Sequence, residues 1–292
     1  MKIGITADCS SGLEYAPFKH NIKITRTTIH FGEKELIDGI DITADEFYKE
    51  LEASDIVPST SAPTPKEIIR CVEEYRNEGC TTVIHFPISF GLSAYGENLQ
   101  AVSDDYVEGV DLKVYNCNTA CIMEGYTAHY AEILASKGYT VEEIFKECDH
   151  MSDNSKTYFL VDDLKYLVKN GRLNVVSGFI GGLMKIKPIL QLGKNVDGKI
   201  EIFEKVRTHV KALERMFEVV QNETASAKSV IYIIQHSNRL EDAKKLVNKV
   251  NEMFNNVKRV EIATVTPTVG AHIGSGVLSL GYIITDNFKE EI

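Results

Sequence analysis

A chain of 292 residues with 43% hydrophobic side chains exceeds one ordinary core, so two domains are expected. The formal net charge of -10 argues against a nucleic-acid partner, whose phosphates would be repelled unless a concentrated basic patch intervened, and the sequence has no such patch. The scattered Cys9, Cys71, Cys80, Cys117, Cys121 and Cys148 form no CxxC and lack a companion histidine cluster, which points to reduced thiols and no metal. No run approaches the roughly 20 apolar residues that cross a bilayer, and Met1-Lys2-Ile3-Gly4 leads straight into a strand rather than a signal peptide, so a cytoplasmic protein is expected.

Residues 2–6 alternate as a first strand, with a polar turn from Asp8 to Gly12 at its carboxyl end. Residues 22–31 read as a second β segment that turns through Gly32 toward Leu36-Ile37. Thr43 with Glu46 forms a capping box for a helix whose apolar side carries Phe47 and Leu51. In residues 58–65, Thr64 with Pro65 and Glu67 makes a complete helix start for 65–77, which leaves Thr60 and Ser61 spare. The apolar run 83–88 then reads as a buried strand delivering the backbone into Ser89-Phe90-Gly91-Leu92-Ser93. Gly91 permits a tight turn, and Ser93 stands where a helix bearing Tyr95, Leu99, Val102 and Tyr106 begins, its free amides aimed beyond the strand.

A third core strand at 112–115 leads into a helix ending near Gly138, and Thr140 caps another. Such alternation predicts a parallel α/β layer whose strand carboxyl ends gather the Asp8, Ser61 and Ser93 turns. The polar cluster at 152–155 divides this unit, residues 1–154, from a second, residues 155–292. There a strand at 157–161 precedes a hairpin of 186–192 with 199–204 around Asp197-Gly198. Helices near 210–222 and 240–254 alternate with strands at 230–234 and 260–265, and a last β segment covers 277–285. The second unit is mixed α/β.

Ser93 alone reads first as a helix cap. Two hydroxyl-bearing turns without a carboxylate, His or Cys beside them suit holding an anion better than splitting a bond. Arg172 follows the helix-ending pair Asn170-Gly171, and His272 lies in a glycine-rich stretch, 270–276, read as a loop between strands. In Phe179-Ile180-Gly181-Gly182-Leu183-Met184 the two glycines weaken an apolar helix by up to about 1 kcal/mol each, which suits a wall that must move aside for a long ligand.

Thr60-Ser61-Ala62-Pro63-Thr64 resembles the TSxPS/T signature of the DegV family of bacterial fatty-acid-binding proteins. The run from Ile5 through Asp8 to Leu13, Asp38-Gly39-Ile40-Asp41-Ile42-Thr43, the run from Leu164 to Arg172, Lys187-Pro188-Ile189-Leu190, Lys205-Val206-Arg207-Thr208 and the run from Gly270 to Gly276 are similar to further family elements in the same order. The resemblance implies a two-domain DegV-like fold that encloses a long-chain fatty acid, with no cofactor. It implies that Thr60, Ser61 and Ser93 hold the carboxylate and that Phe179, Ile180, Leu183 and Met184 line the acyl tunnel. Arg172, Arg207 and His272 would surround the mouth where the carboxylate is phosphorylated. The implied partner is a dihydroxyacetone-kinase-like fatty acid kinase, its acyl phosphate product passing toward phospholipid synthesis, with transient membrane contact. Several positions depart from the family pattern: Ser93-Ala94-Tyr95 replaces S-G-T, Asn170 replaces the first glycine of G-G-R, Asn116-Cys117-Asn118-Thr119 replaces I-D-S, and the His272 stretch lacks its proline.

The sequence has no phosphate-binding G-x-x-x-x-G-K-S/T of its own, so catalysis would belong to a complex. The rival expectation is a serine-dependent acyl hydrolase or transferase, with Ser93 or Ser61 as nucleophile and His272 as base. That mechanism needs a hydroxyl within about 3 Å of the imidazole and an orienting acid. No G-x-S-x-G elbow is present.

Overall fold

The computed structural model describes residues 2–103, 106–173 and 186–292. Thirteen strands lie among the described residues, and four of them, β1 (Ile3–Asp8), β2 (Lys23–Thr25), β6 (Thr82–Phe86) and β7 (Asp111–Val114), form a wholly parallel sheet ordered β2-β1-β6-β7. Every residue of β6 is buried, as a strand covered on both faces requires. Next to it, β3 (Thr28–Phe31) pairs antiparallel with β4 (Lys34–Ile37) and β5 (Ser59–Ser61) in a small separate sheet. The single β segment expected over 22–31 is therefore two strands in two sheets.

The remaining strands are β8 (Ser155–Leu160), β9 (Lys187–Leu192), β10 (Glu201–Val206), β11 (Val230–His236), β12 (Val257–Thr264) and β13 (Leu278–Ile284). They build one mixed sheet, β10-β9-β8-β13-β11-β12, antiparallel except for β11 with β12. Asp197 and Gly198, both with positive φ, turn the chain between β9 and β10, as their residue types predict. The fold is thus a parallel-sheet N-terminal domain joined to a mixed-sheet C-terminal domain.

The helix Ile122–Ser136 is apolar on nearly all sides because it lies between these sheets. Its Tyr126, Tyr130 and Leu134 share one cluster with Ile5, Ala7 and Ile84 of the first sheet and with Ile231, Ile233 and Ile283 of the second. A second cluster joins Ile29, Phe47 and Leu51 to Leu190, Val265 and Ile273, and the Tyr48 hydroxyl donates to the Val265 carbonyl at 3.0 Å. Among the described residues no helix is long and apolar enough to cross a membrane.

Candidate functional site

From β1 the chain runs to one side, to β2, and from β6 it runs to the other, to β7. Between the carboxyl ends of β1 and β6 the strand order therefore reverses, and a crevice opens there. A cavity of about 510 Å3 occupies this place, with Asp8, Thr60, Ser93, Arg172 and His272 in its wall.

Alternation along β5 decides which hydroxyl of the Thr60-Ser61 pair is available, since successive side chains point to opposite faces. Thr60 faces the cavity, its Oγ1 2.8 Å from Nε2 of His272. Ser61 is exposed outside it, with its Oγ 2.6 Å from Nε2 of His30. Thr64 occupies the N-cap position of the helix Pro65–Asn77 but makes no side-chain cap bond, and its side chain lines the cavity. Thus Ser61 is spent and Thr64 is spare, the reverse of the sequence expectation. Pro65 at the first helical position already sets the turn.

Ser93 reaches the cavity on the turn after β6, where its amide and that of Leu92 both donate to the Ser89 carbonyl, at 3.1 and 2.9 Å. The following helix is only Tyr95–Ala101, starts two residues after Ser93 and stops before Val102, which is 56% exposed. Seven residues carry little cumulative dipole, so side-chain hydroxyls rather than a helix end supply the polarity here. Gly91 is not in the left-handed region; what it provides is close approach, because a Cβ there would lie 2.6 Å from the Gly198 carbonyl oxygen. The Ser89 hydroxyl donates to that same oxygen at 2.8 Å, tying this turn to the β9–β10 hairpin.

His272 sits in the last turn of the helix Pro267–Ile273, capped by Thr266, rather than in a loop. The glycines at 270 and 274 serve packing and termination instead: a Cβ at Gly270 would strike the ring of Phe47 at 2.9 Å, and Gly274 ends the helix at φ +80. Burial, with the Arg172 charge beside it, lowers the His272 pKa to about 4, and its Nδ1 has no hydrogen-bond partner. Arg172 follows Gly171 as expected, and its Nε donates to the Leu92 carbonyl at 3.0 Å. The structure thus brings Thr60, Ser93, Arg172 and His272 together around one mouth. Arg207 is exposed between β10 and the helix His209–Thr224 and does not line the cavity. Phe179, Ile180, Leu183 and Met184 lie outside the described residues.

Leu92, Ile200, Val269 and Ile273 border both this cavity and a smaller one of about 50 Å3 whose exposed lining is wholly apolar. Polar mouth and apolar interior are therefore contiguous. Ser10 and Thr268 also line the larger cavity and were not anticipated. Thr266-Pro267-Thr268 repeats the Thr-Pro helix start of Thr64-Pro65, a signal that could have found Thr268. Tyr95, the bulky departure noted in the sequence, forms part of the wall with its ring 5.7 Å from that of His85, while its buried hydroxyl has no hydrogen-bond partner.

The family model described as "Uncharacterised protein, DegV family" matches residues 2–285. The chain belongs to the DegV family. A DegV domain-containing protein of Staphylococcus aureus (strain N315) is 32% identical over 286 residues, covering 97% of this chain and 98% of that one. The crystal structure of DegV, a fatty acid binding protein from Bacillus subtilis, superposes with a TM-score of 0.86 at 28% identity, covering 97% and 99% of the two chains. The Streptococcus pneumoniae Fatty Acid Kinase (Fak) B3 protein, loaded with linoleic acid, shares the fold at 19% identity, with a TM-score of 0.80 over 97% of this chain and all of that one. The cavity of this DegV protein lies at the carboxyl ends of β1 and β6, with Ile200, Thr268 and His272 of the C-terminal domain in its wall.

Proposed function

We propose that this DegV protein encloses one long-chain fatty acid between residues 1–154 and 155–292 and presents its carboxylate to a separate kinase for ATP-dependent acyl phosphate formation. The observation that carries the reading is the polar mouth at Thr60, Ser93, Arg172 and His272 running into the apolar cavity along Leu92, Ile200, Val269 and Ile273. Burying about 15 methylenes at roughly 0.8 kcal/mol each supplies on the order of 12 kcal/mol gross, against an association cost of about 4 to 15 kcal/mol, so the tail carries affinity. The Thr60 and Ser93 hydroxyls keep the buried carboxylate from losing several kcal/mol for want of partners. Ser61, turned toward His30, supports the strand from outside.

The family resemblance supports Phe179, Ile180, Leu183 and Met184 as further tunnel wall. It also supports Arg172, Arg207 and His272 as the phosphoryl side, with Arg207 reached from solvent. The kinase part of the reading is supported by the fold shared with the Fak B3 protein. A serine hydrolase is disfavoured because His272 Nε2 engages a threonine and its Nδ1 has no orienting acid. Extraction of gently purified protein with organic solvent, followed by mass spectrometry, should yield one equivalent of a fatty acid; protein that is empty and refuses added fatty acids defeats the binding reading. Acyl phosphate formed from ATP, magnesium and fatty acid without a second protein defeats the kinase-partner reading.

A further inference from the structure

Asp8 ends β1 and lies in the cavity wall, yet its carboxylate points at backbone. Oδ1 accepts from the Ser10 amide at 2.8 Å and Oδ2 from the Ile88 amide at 2.9 Å, the residue that opens the turn carrying Ser93. The Ser10 hydroxyl touches Asp8 Oδ1 and lies 2.8 Å from Oε2 of Glu124. Glu124 is fully buried, and its other oxygen has no partner. One hydroxyl proton cannot serve two carboxylates, so one of the two acids holds a proton of its own. Asp8, with two amide donors, is the better anion; Glu124, with a single contact and no cation facing it, is the better acid.

We propose that Glu124 is a protonated carboxyl that donates to Ser10, so that Ser10 donates to an ionised Asp8, and that Asp8 is thereby a positioning residue holding the Ser93 turn. The inference rests on the binding reading for its ligand but not for its proton. The groups facing Glu124 are Asp8, Ser10 and the thiols of Cys117 and Cys121, and burial raises its pKa well above the ordinary carboxylate value. Asp8 orders the turn, and the turn orders Ser93.

Infrared spectroscopy at about pH 8, where Asp38 with its pKa raised to about 6 is ionised, should show the carbonyl stretch of a protonated carboxyl. In wild-type protein that band should shift when glutamate is labelled with heavy carbon at its side-chain carboxyl, and it should vanish in Glu124→Gln. No band, or a band indifferent to the glutamate label, overturns the proton assignment without any variant having to fold. Asp8→Asn leaves one of the two amides, of Ser10 or of Ile88, without its acceptor, so amide exchange across 88–93 should accelerate and oleate should bind more weakly, each by about tenfold. Glu124→Gln, which mimics the neutral acid, should leave both within about twofold. Unchanged exchange in Asp8→Asn, or equal damage from Glu124→Gln, overturns the positioning role. Wild-type protein that binds no oleate defeats the binding reading alone, because the infrared and exchange results still decide this inference.

Discussion

Gly91→Ala tests how the Ser93 turn is seated on the C-terminal domain. Backbone strain does not enter, because Gly91 is not among the positive-φ glycines. The added Cβ would lie 2.6 Å from the Gly198 oxygen and 2.7 Å from both the Asp197 oxygen and the Gly198 carbonyl carbon. All three are backbone atoms, so no rotamer change can relieve the clash, and the hairpin must withdraw by about 0.8 Å to reach ordinary contact. Withdrawal stretches the 2.8 Å bond from the Ser89 hydroxyl to Gly198. Overpacking of this kind costs about 1 to 3 kcal/mol and the hydrogen bond roughly 1 more, so a loss of about 2 to 4 kcal/mol is expected. Gly79→Ala is the control: φ is +84 with nothing within 4 Å, so only the left-handed conformation is penalised, by about 1 to 2 kcal/mol. Urea midpoints at unchanged slope give the stabilities, and titration with a fatty acid gives the affinities. Gly91→Ala should weaken both, whereas Gly79→Ala should leave binding intact. Normal fatty-acid affinity in Gly91→Ala would refute the coupling of turn to hairpin.

Thr60→Val keeps the shape of the side chain but removes the partner of His272 Nε2, and should weaken fatty-acid binding by about 1 to 2 kcal/mol, whereas Ser61→Ala should change calorimetric affinity by less than about 0.5 kcal/mol. Each pair of methylenes removed from the ligand should cost about 1.6 kcal/mol, or roughly 15-fold in Kd, until the tail no longer reaches the apolar cavity. Because the folded pKa of His272 is lowered to about 4, the neutral imidazole is favoured; its contribution is complete above the unfolded value near 6.5 and is lost as pH falls toward 4. The stability of wild type relative to His272→Gln should therefore drop by about 2 kcal/mol between about pH 7 and pH 5, read from denaturation at each pH. A difference that does not change with pH would mean that folding leaves the His272 pKa near its ordinary value, and a difference that grows as pH falls would place a charged imidazole in the folded protein.

Much of the architecture was legible because it rests on local rules. The capping boxes at Thr43 and Thr140, the Pro65 helix start and the Asp197-Gly198 turn all lie where the sequence places them. Short-range sterics and hydrogen bonding decide such features within a few residues. Ser93 was legible as a site candidate because it follows an apolar strand, whereas Thr60 was singled out because Thr64 was expected to cap the next helix, a cap bond that Thr64 does not make.

The sequence by itself determined the alternation of strands and helices, the two-domain α/β class and the family. Tertiary structure alone decided that Thr60 faces the cavity and Ser61 does not, that Thr64 is free to line it, and that His272 reaches Thr60 from a helix 212 positions away. It alone brought Asp8, Ser10 and Glu124 into one buried chain of contacts. The reason is physical: secondary structure follows from neighbours along the chain, whereas which side of a short strand meets a cavity, and which acids share a proton, depends on sheets whose packing no local pattern encodes.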